Sequence, residues 1–391
     1  MAPWLWVALL LVSGGYFLYR VNVVRPQVLS ILFVLWSIHF ILNRRRIALA
    51  VLCVIYTFSY TAFHLPFIFA SLVYGFHLLF ENENDWKTPL TALLAMGAGM
   101  LASPYFPDNF LMFYVQNFFI PWMSVGGGID LHMGGEFSPM HTRAAITAHA
   151  AVVLPLVIGF VLAIRLPEKH ERKTLSLLPI VLFLIFITCF SKRFTEYSVP
   201  VTLLFCGFFF TPYIKKYLEC REPKEIVILL SAAGIMLAGL AMNSHASTVQ
   251  VFRGIGPPVL EEAAKYLLKH TEEDEVVFTA DWDDAPELFY FNHKNRYLVF
   301  LDPCFMYYWN PEVWRRWDAV SNGRMGSQTY TVLKDEFRVR YGVATSNFQQ
   351  LRNIIERDPR MRIVHQTSGA FVFKLDIAQD TAPAPDAAGS N

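Results

Sequence analysis

Between residues 2 and 244 the chain is a succession of apolar stretches separated by short polar turns, and no other feature limits its possible folds as much. A helix crossing the hydrocarbon core of a bilayer needs about 20 apolar residues, fewer where the bilayer is thin. On that rule the sequence predicts spans at 2–19, 26–43, 47–62, 65–80, 88–103, 144–164, 174–190, 197–214 and 225–244. The stretch 47–80 is too long for one helix. It is divided at His64-Leu65-Pro66, because proline lacks an N–H donor and pushes the preceding residue out of helical geometry. The expected fold class is a polytopic α-helical membrane protein of about nine spans, followed by a small extracytoplasmic α/β domain with a mostly parallel sheet.

Composition supports a two-part chain. Of 391 residues 54% are hydrophobic and only 17% charged, and the charges concentrate after residue 250. This predicts a transmembrane domain over 1–247 and a soluble domain over 248–376. The tail 377–391, rich in Ala, Pro and Asp, has too little apolar surface to fold. A net charge of +1 excludes a nucleic-acid partner, since no basic stripe is present to neutralise a run of phosphates. Of the five cysteines only Cys304 lies in the soluble part, so that domain forms no internal disulfide. No cysteine or histidine spacing matches a metal motif, and no phosphate-binding glycine fingerprint is present. The first stretch lacks a basic leader and a small-residue cleavage site, so it reads as a retained helix.

Orientation follows the short basic loops, Arg44-Arg45-Arg46, 165–173 and 215–224, which belong on the cytoplasmic side. An even number of crossings between the first two requires the aromatic stretch 109–125 to lie in the outer interface, as a helix near 107–125. The same parity places the N-terminus in the cytoplasm. It puts Lys192, Arg193, Glu196 and the C-terminal domain outside the inner (plasma) membrane.

After residue 248 short apolar runs alternate with amphipathic helices. Helix 258–270 precedes a strand at 275–280, helix 286–291 precedes a strand at 297–301, and helices near 305–321 and 329–337 precede a strand at 341–345. Helix 347–358 then leads to strands 362–366 and 370–375, joined at Thr367-Ser368-Gly369. Such alternation predicts a small α/β sheet ending in a hairpin.

Three groups carry candidate chemistry. Lys192, Arg193, Glu196 and Tyr197 sit in a charged turn between two apolar stretches, where charge is costly to hold. Arg193 and Glu196, three apart, share a helical face and can pair, leaving a cation for a phosphate of a membrane lipid. The alternative is a structural ion pair with an interfacial tyrosine. In the glycine-rich loop 126–136 and just beyond it, Asp130, His132, Glu136 and His141 supply acid, base and ligand types for general-base catalysis or a divalent metal. The alternative there is a polar connection. In the soluble part, Asp281 and Asp283 follow one expected strand and Asp302 follows the next. If those strands are parallel, their C-terminal ends meet where open α/β sheets bind ligands; the alternative is helix capping. His64 adds a titratable group at a broken helix, and Arg25 reads as a snorkelling helix end.

Taken together, Val24-Arg25-Pro26, the split at Tyr60-Thr61-Ala62-Phe63-His64-Leu65-Pro66, Ser103-Pro104-Tyr105-Phe106-Pro107, Lys192 through Pro200, Asp281-Trp282-Asp283-Asp284, Asn295-Arg296-Tyr297 and Leu301-Asp302-Pro303 carry a resemblance. In this order they resemble bacterial multi-span glycosyltransferases of the GT-C type. The resemblance implies a polyprenyl-phosphate-linked sugar as substrate at the outer membrane face, with phosphate-binding cations near the surface, a role that falls to Arg193 and Lys192. These enzymes usually carry a catalytic acid in a long first outer loop. Here the loop between the first two predicted spans, 20–25, holds no carboxylate. The expectation is therefore of the later portion of such a protein, with a partner chain or an upstream segment supplying the missing spans and acidic loop. Two other classes remain open: a non-catalytic subunit that binds lipid phosphate or a partner, and a transporter using His64, Arg193 and Glu196 as a relay.

Overall fold

The computed structural model describes residues 3–23, 25–126, 131, 134–165, 170–219, 222–253, 256–300 and 302–376. It separates into two compact units, one of residues 1–128 and 134–255, the other of 129–133 and 256–391.

The first unit is helical, but the expectation of about nine spans does not hold. Among the described residues three helices are long and apolar enough to cross a membrane, Arg172–Phe190, Lys192–Lys216 and Pro223–Gln250. The bent pair Pro3–Leu11 and Gly15–Asn22, at 86° to each other, makes a fourth if counted as one span. Gln27–Leu42, Arg46–Thr57, Leu65–Glu81 and Ala150–Arg165 are apolar but shorter. At 1.5 Å per residue they reach about 18 to 25 Å, below the ~30 Å core. Hydropathy overcounted because it registers apolar side chains whether they face lipid or a neighbouring helix. Val34, Ile38, Leu49, Phe69, Leu177 and Leu184, from four of the predicted spans, pack together in one buried cluster. Pro223–Gln250, by contrast, is almost entirely exposed apolar surface.

The break at His64-Leu65-Pro66 exists. Helix Arg46–Thr57 ends before it and helix Leu65–Glu81 starts with Pro66 in its first turn, where a missing N–H costs nothing. The aromatic stretch forms helix Asp108–Tyr114, a π-helical turn Val115–Phe119 and helix Ile120–Gly126. Such turns widen a helix locally and often mark functional places. Here the turn holds Asn117, whose Nδ2 donates to Phe113 O at 3.0 Å and to Thr61 O at 3.3 Å. It thereby ties the stretch to the break.

The second unit holds five strands, β1 Val276–Thr279, β2 Arg296–Tyr297, β3 Tyr341–Thr345, β4 Met361–Gln366 and β5 Ala370–Leu375. Their order is β2-β1-β3-β5-β4. β1 runs parallel to β2 and β3, whereas β5 is antiparallel to both β3 and β4. The sheet is therefore mixed, not mostly parallel. The turn at Thr367 forces β5 back along β4, and β5 enters the sheet between β3 and β4. The run Ala370-Phe371-Val372-Phe373 is buried throughout, as an interior strand requires. Gly342 in β3 leaves the space that the Phe373 ring occupies. Behind β1, the buried Trp317 indole donates to Thr279 O at 2.9 Å.

Candidate functional site

Two apolar helices cannot end side by side with charged residues between them unless those charges find partners. At the turn Lys192–Phe194 they do, although the partners differ from those the spacing suggests. Glu196, 1% exposed, meets Arg20 rather than Arg193: Arg20 Nε donates to Glu196 Oε2 at 3.0 Å, and Nη2 lies 3.0 Å from the same oxygen. Arg20 Nη1 reaches Glu136 Oε2 at 2.5 Å, and Arg25 Nη1 reaches it at 3.3 Å. Arg193 Nη2 donates to the Tyr60 hydroxyl at 2.9 Å, and its Nη1 lies 3.7 Å from Glu136 Oε1. The guanidinium also stacks over Phe137 at 5.2 Å. Backbone bonds hold the turn to the loop, Lys192 N donating to Ser138 O at 3.1 Å and Ser191 Oγ to Glu136 O at 3.0 Å.

Beside this cluster lies a cavity of about 290 Å³. Arg193, Glu196, Tyr197 and His64 line it, together with Tyr60, Asn117 and Gln116, and its apolar wall comes from Leu65, Ile187, Phe190 and Phe194. Tyr197 is anchored from behind, its hydroxyl 2.6 Å from Ser30 Oγ, which also meets the Tyr56 hydroxyl. Two atoms of the lining residues stand out: Glu196 Oε1 and His64 Nδ1 are buried without a hydrogen-bond partner. Lys192 is not among the lining residues; its Nζ sits 5.9 Å from the Tyr16 ring centre.

Of the loop candidates, Asp130 and His132 lie outside the described residues. Glu136 is central, but burial, which disfavours its charge, is outweighed by the guanidiniums of Arg193, Arg20 and Arg25. They hold its carboxyl below the usual carboxylate range. A carboxylate so held is a poor proton acceptor and a good anchor. His141 is an exposed residue preceding helix Thr142–Ala148.

The aspartates of the second unit act locally. Asp281 Oδ1 accepts from Asp283 N at 3.2 Å, and Asp302 caps helix Pro303–Trp309 by accepting from Cys304 N at 3.0 Å. β1 and β2 are indeed parallel, yet Asp302 takes the capping role, while Asp284, at the N-cap of helix Ala285–Phe291, makes no side-chain cap bond. Asp284 is the unusual one. Its Oδ2 is buried without a partner, and burial, followed by the charges of Asp281, Glu287 and Asp283, pushes its carboxyl up to about 7.

Arg20 and Tyr60 were also missed as partners. The signal for Arg20 was available: a guanidinium in an apolar stretch requires a carboxylate, and the first 80 residues contain none. At another edge of the first unit, His77, Glu81 and Glu83 bring ligand atoms within 4.8 Å of one another. Two arginines already offset the carboxylates: Arg172, with Nε 2.6 Å from Glu81 Oε2 and Nη2 paired to Glu83, and Arg44, also paired to Glu83. No family model matches this sequence, and none of the curated proteins is significantly similar to it.

Proposed function

We propose that this chain is a GT-C-like membrane protein that binds a polyprenyl-phosphate-linked sugar, with the phosphate at Arg193 and the start of the lipid along the apolar cavity wall. The observation that carries the reading is the unequal charge beside the cavity. Among the described residues Arg20, Arg25 and Arg193 gather around only two carboxylates, Glu136 and Glu196. The surplus is positive, and it adjoins a lining that is half aromatic and aliphatic. An amphipathic anion suits both features, because a guanidinium offers paired donors to phosphate oxygens.

The long helices support an outer-face location in a bacterial plasma membrane. Arg172–Phe190, Lys192–Lys216 and Pro223–Gln250 follow one another through short connections, so they alternate in direction. Arg172, Lys173, Lys215, Lys216 and Lys224 then fall at the end opposite Arg193, the basic end that stays in the cytoplasm. The chain leaves the third helix on the Arg193 side.

A non-catalytic role in the same binding is the second reading, favoured by the state of Glu136. Glu136, the carboxylate of the glycine-rich loop among the described residues, is bound by three arginines and is ill suited to take a proton. The test is affinity for polyprenyl phosphate in detergent, wild type against Arg193→Ala. A loss of about 10- to 100-fold is expected for a charge-assisted contact, and equal affinity overturns the proposal. Release of radiolabelled sugar from the lipid-linked donor separates enzyme from binding subunit.

A further inference from the structure

Glu196 is the only carboxylate among the described residues lining the cavity, and its two oxygens are treated differently by the fold. Oε2 is held by Arg20 Nε at 3.0 Å. Oε1 is buried and has no hydrogen-bond partner, although the residue as a whole is 1% exposed. A carboxylate oxygen removed from water without a donor is costly, and folds rarely leave one so. The neighbouring side chains do not remedy it. Arg193 makes no hydrogen bond to Glu196, its Nη2 donating to Tyr60 and its Nη1 lying 3.7 Å from Glu136, and the Tyr197 hydroxyl is turned to Ser30. His64 Nδ1, on the same lining, also lacks a partner. The cavity thus offers a donor group at Arg193 and unfilled acceptor capacity at Glu196.

We infer that Glu196 Oε1 accepts a hydrogen bond from a hydroxyl carried by the ligand's head group, making Glu196 the residue that distinguishes a hydroxyl-bearing phosphate ester from bare phosphate. This rests on the proposal that Arg193 binds a lipid-linked phosphate, and it adds a requirement that proposal does not contain. A terminal phosphate monoester satisfies Arg193 but brings a second negative charge and no hydroxyl toward Glu196, whereas a phosphodiester to a sugar brings one charge and several donors. Arg20 is a positioning residue here: it holds Oε2 and leaves Oε1 as the unpaired oxygen of a residue that lines the cavity.

The experiment measures the dissociation constants of polyprenyl phosphate and of a polyprenyl-phospho-hexose for the full chain in nanodiscs, in wild type and Glu196→Gln. Wild type should prefer the hexosyl ligand by about 10-fold or more, the worth of a hydrogen bond to a buried charged group. Glu196→Gln should shrink that ratio several-fold. A merely structural Glu196 would lower both affinities together and leave the ratio unchanged, which would overturn the inference. So would equal wild-type affinities for the two lipids, a result that needs no variant to fold. Failure of the underlying reading looks different, since then neither lipid would bind in a manner sensitive to Arg193→Ala.

Discussion

Replacing Arg20 by Met exposes how the buried cluster is held together. In the native arrangement Arg20, 4% exposed, is the only described donor to Glu196, 1% exposed, and one of three cations around Glu136. Met fills much of the aliphatic volume but contributes no charge. Glu136 keeps Arg25 and Arg193, so its loss is small. Glu196 keeps no hydrogen bond at either oxygen, and breaking a buried ion pair from one side costs about 3–5 kcal/mol because a charge is left uncompensated. Removing the charge as well, in Arg20→Met with Glu196→Gln, takes away that penalty. The double variant should lie within about 1–2 kcal/mol of wild type, since a neutral replacement of both partners is often tolerated. The cycle therefore predicts a coupling energy on the order of 2–3 kcal/mol between two residues far apart in sequence. Unfolding in mixed micelles by increasing fractions of a denaturing detergent reads it. A single-variant cost under about 1 kcal/mol, or additive single variants, would refute the reasoning and leave the contact as weak as an exposed ion pair.

Three further outcomes follow from particular contacts. Asp284 is protonated more readily in the fold than in the unfolded chain, so its stabilising effect is complete below about pH 4 and is lost as pH rises through about 7. Asp284→Asn should slow hydrogen exchange of β1 and β3 at pH 8 by an amount worth up to about 4 kcal/mol, with little change at pH 4; a pH-independent difference would contradict this. Lys192→Ala, at a residue outside the cavity lining, should change affinity for polyprenyl phosphate much less than Arg193→Ala does; equal losses would mean that the phosphate sits at the turn rather than in the cavity. Gly342→Val drives a side chain into the Phe373 ring and should destabilise the sheet by about 1–3 kcal/mol, seen as faster exchange across β3 and β5; native-like protection would show that the ring can move aside.

The second unit was more legible in sequence than the first, for a physical reason. Its elements are short and bounded by turn chemistry. The Thr367-Ser368-Gly369 turn and the buried run Ala370–Phe373 mark β5 closely, and the strand expected at 341–345 is found there. What local pattern could not supply was sheet order, because a hairpin partner can join either edge of its neighbour, and the buried character of β5 was the unused clue. In the first unit the longer described helices are apolar, so periodicity says little about which face meets lipid, and length was judged from hydropathy rather than from where turns fall. The candidate site shows the same limit. The turn holding Arg193 and Glu196 was visible because charges interrupt apolar sequence, and the same cavity gathers His64 and Tyr197. Their pairing was misjudged because proximity in sequence suggested Arg193 with Glu196, while the fold brings Arg20 from the first helices to take that place.

The cluster also bears on why the charges are there at all. Two carboxylates and their guanidinium partners could be replaced by apolar groups with little loss of stability, since desolvation offsets most of the attraction between buried ions. Stability alone therefore does not account for placing Arg20, Glu136, Arg193 and Glu196 at one end of an apolar helical unit. Register is one return. The ions join the Gly15–Asn22 helix, the 134–138 loop, the break at Tyr60 and the start of helix Thr195–Glu219 at defined distances, whereas apolar contacts alone tolerate sliding. Register, however, is served by matched charges with every atom paired. An arrangement built only to hold the helices would not also leave a surplus of cations and a carboxylate oxygen unpaired beside a cavity. Those two departures point the same way, toward a ligand that brings negative charge to Arg193 and a hydrogen-bond donor to Glu196.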